Sequence, residues 1–137
     1  MHSLHFDISG DDFSVAGLAS SNCKKVLKQL GIPNETIRKV SICMYEGEIN
    51  TIIHGKGGFC DITITEESVN IKFSDNGPGI PDINRAMEEG FSTATNEARE
   101  LGFGAGMGLP NIKKYSDDLI ITSEVNKGTT VDITVNL

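Results

Sequence analysis

Between Glu35 and His54 the chain carries apolar residues at helical spacing that do not all fall on one side. Ile37, Val40, Met44 and Ile52 mark one face, while Ile42, Ile49 and Ile53 lie elsewhere around the circumference. A helix that is apolar on several sides is covered on more than one side. This stretch therefore predicts a helix over 35–54 with other elements packed around it. Gly47 in its middle costs about 1 kcal/mol relative to alanine. Close approach of another element is the simplest compensation.

The flanking segments supply those elements. Leu4, Phe6 and Ile8 alternate with His5 and Asp7, predicting a half-buried strand over 3–8. Gly10-Asp11-Asp12 reads as a turn with an N-cap. A helix is expected over 13–30, with Val15, Leu18, Val26, Leu27 and Leu30 as its apolar positions and Gly31 as its stop. Strands are predicted at 59–65 and 69–74, a short helix over 82–89, and a long glycine-containing loop over 90–108. A helix at 109–116 follows, with Pro110 in its first turn, and strands at 118–125 and 129–135 close the chain around Asn126-Lys127-Gly128. The order predicts one α+β domain over 1–137: a two-layer sandwich of a mixed β-sheet with helices on one face.

Composition narrows the function. The 137 residues include 12 basic and 19 acidic side chains, a net charge of −7. That balance argues against direct nucleic-acid binding, which needs clustered Lys and Arg, and against an anionic lipid surface. No apolar run reaches the roughly 18 residues of a membrane span, and Met1–His5 opens no signal peptide. Cys23, Cys43 and Cys60 are widely spaced, without a CxxC pair, and read as reduced, packed thiols of a cytoplasmic protein. With His2, His5 and His54 they form no zinc-ligand pattern.

Three segments carry chemistry. In Glu46-Gly47-Glu48-Ile49-Asn50, Glu46 and Asn50 are four apart and share a helix face. Glu48 points roughly 200° around from Glu46. A carboxylate and an amide oxygen are hard donors suited to Mg²⁺ or a bound water. The same spacing also fits a solvated polar stripe. In Asp75-Asn76-Gly77-Pro78-Gly79-Ile80 an Asp ends an apolar strand before two glycines that permit φ > 0 and close backbone approach. That Asp could accept from an exocyclic amine, or could close a tight turn through its own side chain. In Gly102-Phe103-Gly104-Ala105-Gly106-Met107-Gly108-Leu109, glycines alternate directly before a helix, a pattern for an anion site and also for a flexible linker.

Taken together and in this order, the segments resemble the boxes of the Bergerat-fold ATPases, the superfamily of gyrase, mismatch-repair and histidine-kinase nucleotide domains. Glu46-xxx-Asn50 matches the N box, Asp75-x-Gly77-x-Gly79 the first glycine box, and Gly102-x-Gly104-x-Gly106-x-Gly108 the second. Gly128-Thr129-Thr130 matches the closing Gly-Thr element. The size, and the stretch Ile52-Ile53-His54-Gly55, look most like bacterial anti-sigma factor serine/threonine kinases and related switch kinases. The resemblance implies ATP and Mg²⁺ as cofactors, with Asn50 on the metal and Glu46 as general base. Asp75 would bond the adenine amine, with Thr129 or Thr130 assisting. Gly77, Gly79 and Ile80 would flank the base, and Gly102, Gly104, Ala105, Gly106, Met107, Gly108 and Leu109 would wrap the phosphates. It further implies a protein antagonist bearing an acceptor Ser or Thr, a sigma factor as a competing partner, and a homodimer. His54, one turn beyond Asn50, could approach the phosphates or simply end the helix. Two functions follow: an ATP-dependent protein kinase, or an ATP-sensing protein-binding regulator without significant turnover.

Overall fold

The computed structural model describes residues 1–10, 16–54, 57–80, 83, 87 and 108–137. Strand β1 (His2–Ser9) leads to helices α1 (Leu18–Gln29) and α2 (Asn34–Ile53). Strands β2 (Gly57–Ile64) and β3 (Ser68–Asp75) follow. Helix α3 (Gly108–Tyr115) precedes strands β4 (Asp118–Glu124) and β5 (Gly128–Asn136). The expected short helix at 82–89 and the loop through 107 lie largely outside the described residues.

The strands form one five-stranded sheet in the order β1-β2-β3-β5-β4. The element order predicts a mixed sheet; instead every pairing among the described residues is antiparallel. β3 and β4 do run the same way, as a helical crossover requires. β5 returns from its hairpin with β4 and lies between them, so no parallel pair forms.

Strand alternation sorts the residues into two faces. One inward row is Leu4, Ile62, Ile71, Ile133 and Leu119, and the next is Phe6, Cys60, Phe73, Val131 and Ile121. These rows meet α2, whose Ile37, Val40, Cys43, Met44 and Ile52 are all buried. The helix apolar on several sides is thus the centre of the molecule, in contact with α1, α3 and four of the strands. The third inward row changes character: Ile8, Gly58, Asp75, Thr129 and Ser123. Polar side chains placed in the inward phase at one end of the sheet are what a site built over that end requires. The outward face is polar, with His5 Nδ1 donating to Asp61 at 2.6 Å and Asn70 donating to Asp132 at 2.7 Å.

Helix α1 begins later than its periodicity predicts. Gly17 takes φ 93°, a left-handed conformation that ends the helix on its N-terminal side. Residues 11–15, including the expected cap at Asp11-Asp12 and Val15, lie outside the described residues. Leu18 is exposed, and the buried side of α1 is Ala19, Ser20, Cys23 and Leu27. All three cysteines are free and buried, as read from their spacing. Burial pushes the Cys23 and Cys43 thiols up to about 12, so they pack as hydrophobes rather than react.

Candidate active site

Helix α2 carries the site's polar stripe. Glu46, Asn50 and His54 follow one another at four-residue intervals and are all half-buried. Successive members drift only about 40° around the axis and span roughly 12 Å. The stripe has different neighbours at its two ends. At Glu46 it meets the start of α3: a β-carbon on Gly108 would stand 3.3 Å from Glu46 Oε2. At His54 it comes within electrostatic reach of Asp75 at the end of β3. The chain thus sets a carboxylate, an amide and an imidazole in line between a helix N-terminus and a strand-end carboxylate.

Glu46 and His54 are tuned by their surroundings. Burial raises the Glu46 carboxyl above the ordinary carboxylate value, and a hydrogen bond from the Asn111 side chain on α3 opposes the shift. Burial lowers the His54 imidazole, with the Asp75 charge opposing. A carboxylate raised toward neutrality is suited to accept a proton from a hydroxyl.

Gly47 sits between Glu46 and Glu48 because nothing larger fits: a β-carbon there would overlap the Phe73 ring on β3. The approach that compensates its helix cost is therefore Phe73, two residues before Asp75. Glu48 leaves α2 on a different face, as its spacing predicts. It is 3% exposed and accepts from the backbone N–H groups of Ala19 at 3.3 Å and Ser20 at 3.2 Å. Helix α1 has no side-chain cap of its own at Gly17. Glu48 supplies it from 28 positions away in sequence. Burial raises its carboxyl, and the backbone donors of Ser20, Ala19 and Gly17 oppose that.

At the other end, Asp75 Oδ1 accepts from the Gly77 amide at 2.8 Å. This is the side-chain turn that the sequence left open as one reading. It occupies one oxygen, and a carboxylate has capacity for further donors at the other. Of the two glycines, only Gly79 uses a positive φ, at 79°, where a β-carbon would also strike the Glu124 carbonyl. Gly77 does not need its conformational freedom. Ile80 packs against the core.

Asp75 pairs with Thr129, which is buried and faces inward with it. Thr130 pairs with Ser74 in the opposite phase and faces outward. Of the two threonines, the sheet brings only Thr129 to the site. Thr129 Oγ1 is 2.9 Å from Ser123 Oγ, which also accepts from the Ile80 amide at 2.7 Å. Ser123 therefore ties the glycine turn to the β4–β5 hairpin. The sequence reading missed it; the signal was a polar residue continuing the inward phase of Leu119 and Ile121. It also missed Asn111. Gly108 opens α3 and Leu109 is buried. Gly102, Gly104, Ala105, Gly106 and Met107 lie outside the described residues.

The donor set fits a magnesium nucleotide. Asn50 offers an amide oxygen suited to Mg²⁺, α3 presents its N-terminus beside Glu46, and Asp75 and Thr129 offer polar groups in the inward row they share with Ser123. Among the described residues no cluster of three or more His, Cys, Asp or Glu side chains is poised to hold a metal. A metal here would accordingly rest on few protein oxygens and on its nucleotide, as Mg²⁺ commonly does.

Residues 35–137 match the model of the histidine kinase-, DNA gyrase B- and HSP90-like ATPase family. The chain is 34% identical over 109 residues to an anti-sigma F factor of Geobacillus stearothermophilus, covering 75% of this chain and 71% of that protein. It is 30% identical over 112 residues to the serine/threonine-protein kinase RsbT of Bacillus subtilis, covering 79% and 78% of the two. A solved SiaB–SiaC complex from Pseudomonas aeruginosa contains a chain of the same fold, with TM-score 0.64 and 13% identity over 96% of this chain and 88% of that one. The match from Glu35 to the last residue spans most of the sequence: this chain belongs to the histidine kinase-, DNA gyrase B- and HSP90-like ATPase family.

Proposed function

We propose that the chain is an ATP- and Mg²⁺-dependent serine/threonine protein kinase that regulates a partner protein in the manner of an anti-sigma or switch factor. The observation that carries this reading is the α2 stripe, with Glu46 held against the N-terminus of α3 and Asn50 one turn away. The names of the anti-sigma F and RsbT relatives support it. In this reading Asp75 accepts from the adenine amine, with Thr129 and Ser123 holding the strand ends in place. Asn50 would offer an oxygen to Mg²⁺, and the α3 N-terminus would offer its backbone donors to the phosphates. Bound Mg²⁺ supplies charge neutralisation for phosphoryl transfer. Glu46 orients the incoming hydroxyl and takes its proton, aided by a carboxyl already raised by burial. Asn111 holds the Glu46 side chain through its hydrogen bond.

The partner is a protein bearing an acceptor Ser or Thr. A sigma factor as second partner, a homodimer and a cytoplasmic setting complete the proposal; three free, buried thiols suit a reducing compartment. Among the described residues no helix is long and apolar enough to cross a membrane. The test combines calorimetric binding of Mg-ATP with transfer from radiolabelled ATP to a co-expressed neighbouring protein, the labelled residue being identified by mass spectrometry. Binding with transfer to Ser or Thr is expected. Binding without transfer would favour the sensing regulator, and no binding would overturn both.

A further inference from the structure

A groove of about 520 Å³ runs between α1 and α2 and ends at Glu46. Its α2 wall is Asn34, Ile37, Arg38, Ser41, Ile42 and Tyr45, a stripe at helical spacing. Its α1 wall is Lys24 and Lys28, one turn apart and both exposed. Three cations thus line one groove of a chain whose net charge is −7. Neither lysine has an ion-pair partner among the described residues. Arg38 lies over the Tyr115 ring at 5.5 Å and reaches Glu35 at 3.2 Å in an exposed, weakly held pair, which leaves its remaining donors to a further carboxylate. Tyr45, directly before Glu46, is 40% exposed, an aromatic of the kind that anchors protein contacts. Among the described residues Ser41 Oγ, in the groove wall, has no hydrogen-bond partner.

Resting on the kinase reading above, we propose that this groove docks an acidic segment of the acceptor protein and delivers its hydroxyl to Glu46. Charge complementarity selects the occupant. Glu46 repels carboxylates at the acceptor position itself, while Arg38, Lys24 and Lys28 attract them farther along. From Glu46 to Arg38 the helix advances roughly 12 Å. An extended chain covers that in about three to four residues. The acceptor therefore has a neutral neighbourhood at the hydroxyl and Asp or Glu beginning about three to six residues away on one side.

The experiment uses fluorescein-labelled synthetic peptides with one serine and glutamates at those positions, beside a control with glutamines. Fluorescence anisotropy reads their binding to the full chain at low and moderate salt, and calorimetry reads ATP affinity on the same protein. The glutamate peptide should bind about 10-fold or more tighter than the glutamine peptide, with the difference shrinking as salt rises. The doubly substituted Lys24→Glu, Lys28→Glu protein should lose that preference. The milder Lys24→Gln, Lys28→Gln protein should move the same way by less, which keeps the test open if the reversal unfolds. Equal binding of the two peptides to the wild type would overturn the groove assignment. Equal binding together with self-association that the charge reversal abolishes would overturn it in favour of a second copy of this acidic chain. Peptide preference without ATP binding would leave the groove standing and overturn its role in phosphoryl transfer.

Discussion

Replacing Gly47 by alanine sets two effects of opposite sign against each other, and the structure decides between them. Helix propensity alone favours alanine by about 1 kcal/mol. Against this, a β-carbon would lie 2.6 and 2.8 Å from two Phe73 ring carbons and nearer still to a third. Carbon atoms rest at roughly 3.5–4.0 Å, so the ring must retreat by about 1 Å. Phe73 is only 2% exposed and lies in a row with Cys60 and Val131, leaving it no open space to enter. Overpacking of a filled core costs about 1–3 kcal/mol, and after the propensity gain the net loss should be up to about 2 kcal/mol. For a chain of this length that lowers the melting temperature by up to about 8 °C. Urea and thermal unfolding of the nucleotide-free protein measure it. Shrinking the partner supplies the control: in a Phe73→Leu background the same Gly47→Ala change should become neutral or stabilising, giving a large coupling in a double-mutant cycle. A Gly47→Ala protein more stable than wild type in the native background would refute the argument that Phe73 compels the glycine.

Further outcomes follow from the site. Asp75→Asn should weaken ATP binding about 10- to 150-fold in calorimetry, because a hydrogen bond to a charged acceptor is lost; unchanged affinity would remove Asp75 from adenine recognition. Glu46→Ala should leave ATP affinity within a few-fold and cut transfer about 10²–10⁴-fold, whereas Glu48→Ala should spare both activities and lower stability by about 1–2 kcal/mol through loss of the α1 cap. A larger transfer defect at Glu48 than at Glu46 would mean the two helix faces are exchanged. His54 is held below its ordinary value of 6.5 by burial, so the unfolded chain binds the extra proton more readily. Its contribution to stability is therefore complete above pH 6.5 and lost as pH falls through the lowered folded value. Melting temperatures recorded between neutral and mildly acidic pH should fall less steeply for His54→Gln; identical slopes would exclude the imidazole as a source of that loss.

Much of this protein is written in short-range pattern. The 3.6-residue period over 35–54 determines a helix apolar on several sides, and that helix is central in the fold. Alternation at 3–8, 59–65 and 129–135 determines strands and their inward faces. The four-residue step from Glu46 to Asn50 places both on one face without any tertiary information, because helix geometry alone decides it. Order along the chain carried the family resemblance. What the tertiary structure decided concerns partners distant in sequence. Glu48 reads as a superfluous acid until α1 folds back and presents its uncapped N–H groups. Gly47 reads as a weakness until β3 brings Phe73 under it. Ser123 and Asn111 gain meaning only when the β4–β5 hairpin meets the glycine turn and α3 meets Glu46. Thr129 and Thr130 are adjacent and chemically identical, and the register of β5 against β3 alone turns one toward Asp75 and the other away. The antiparallel sheet has the same origin, since β5 inserting between β3 and β4 is a long-range choice. Periodicity is a property of neighbouring residues and is visible in the string; register, capping across elements and close approach are energies of pairs that only folding brings together.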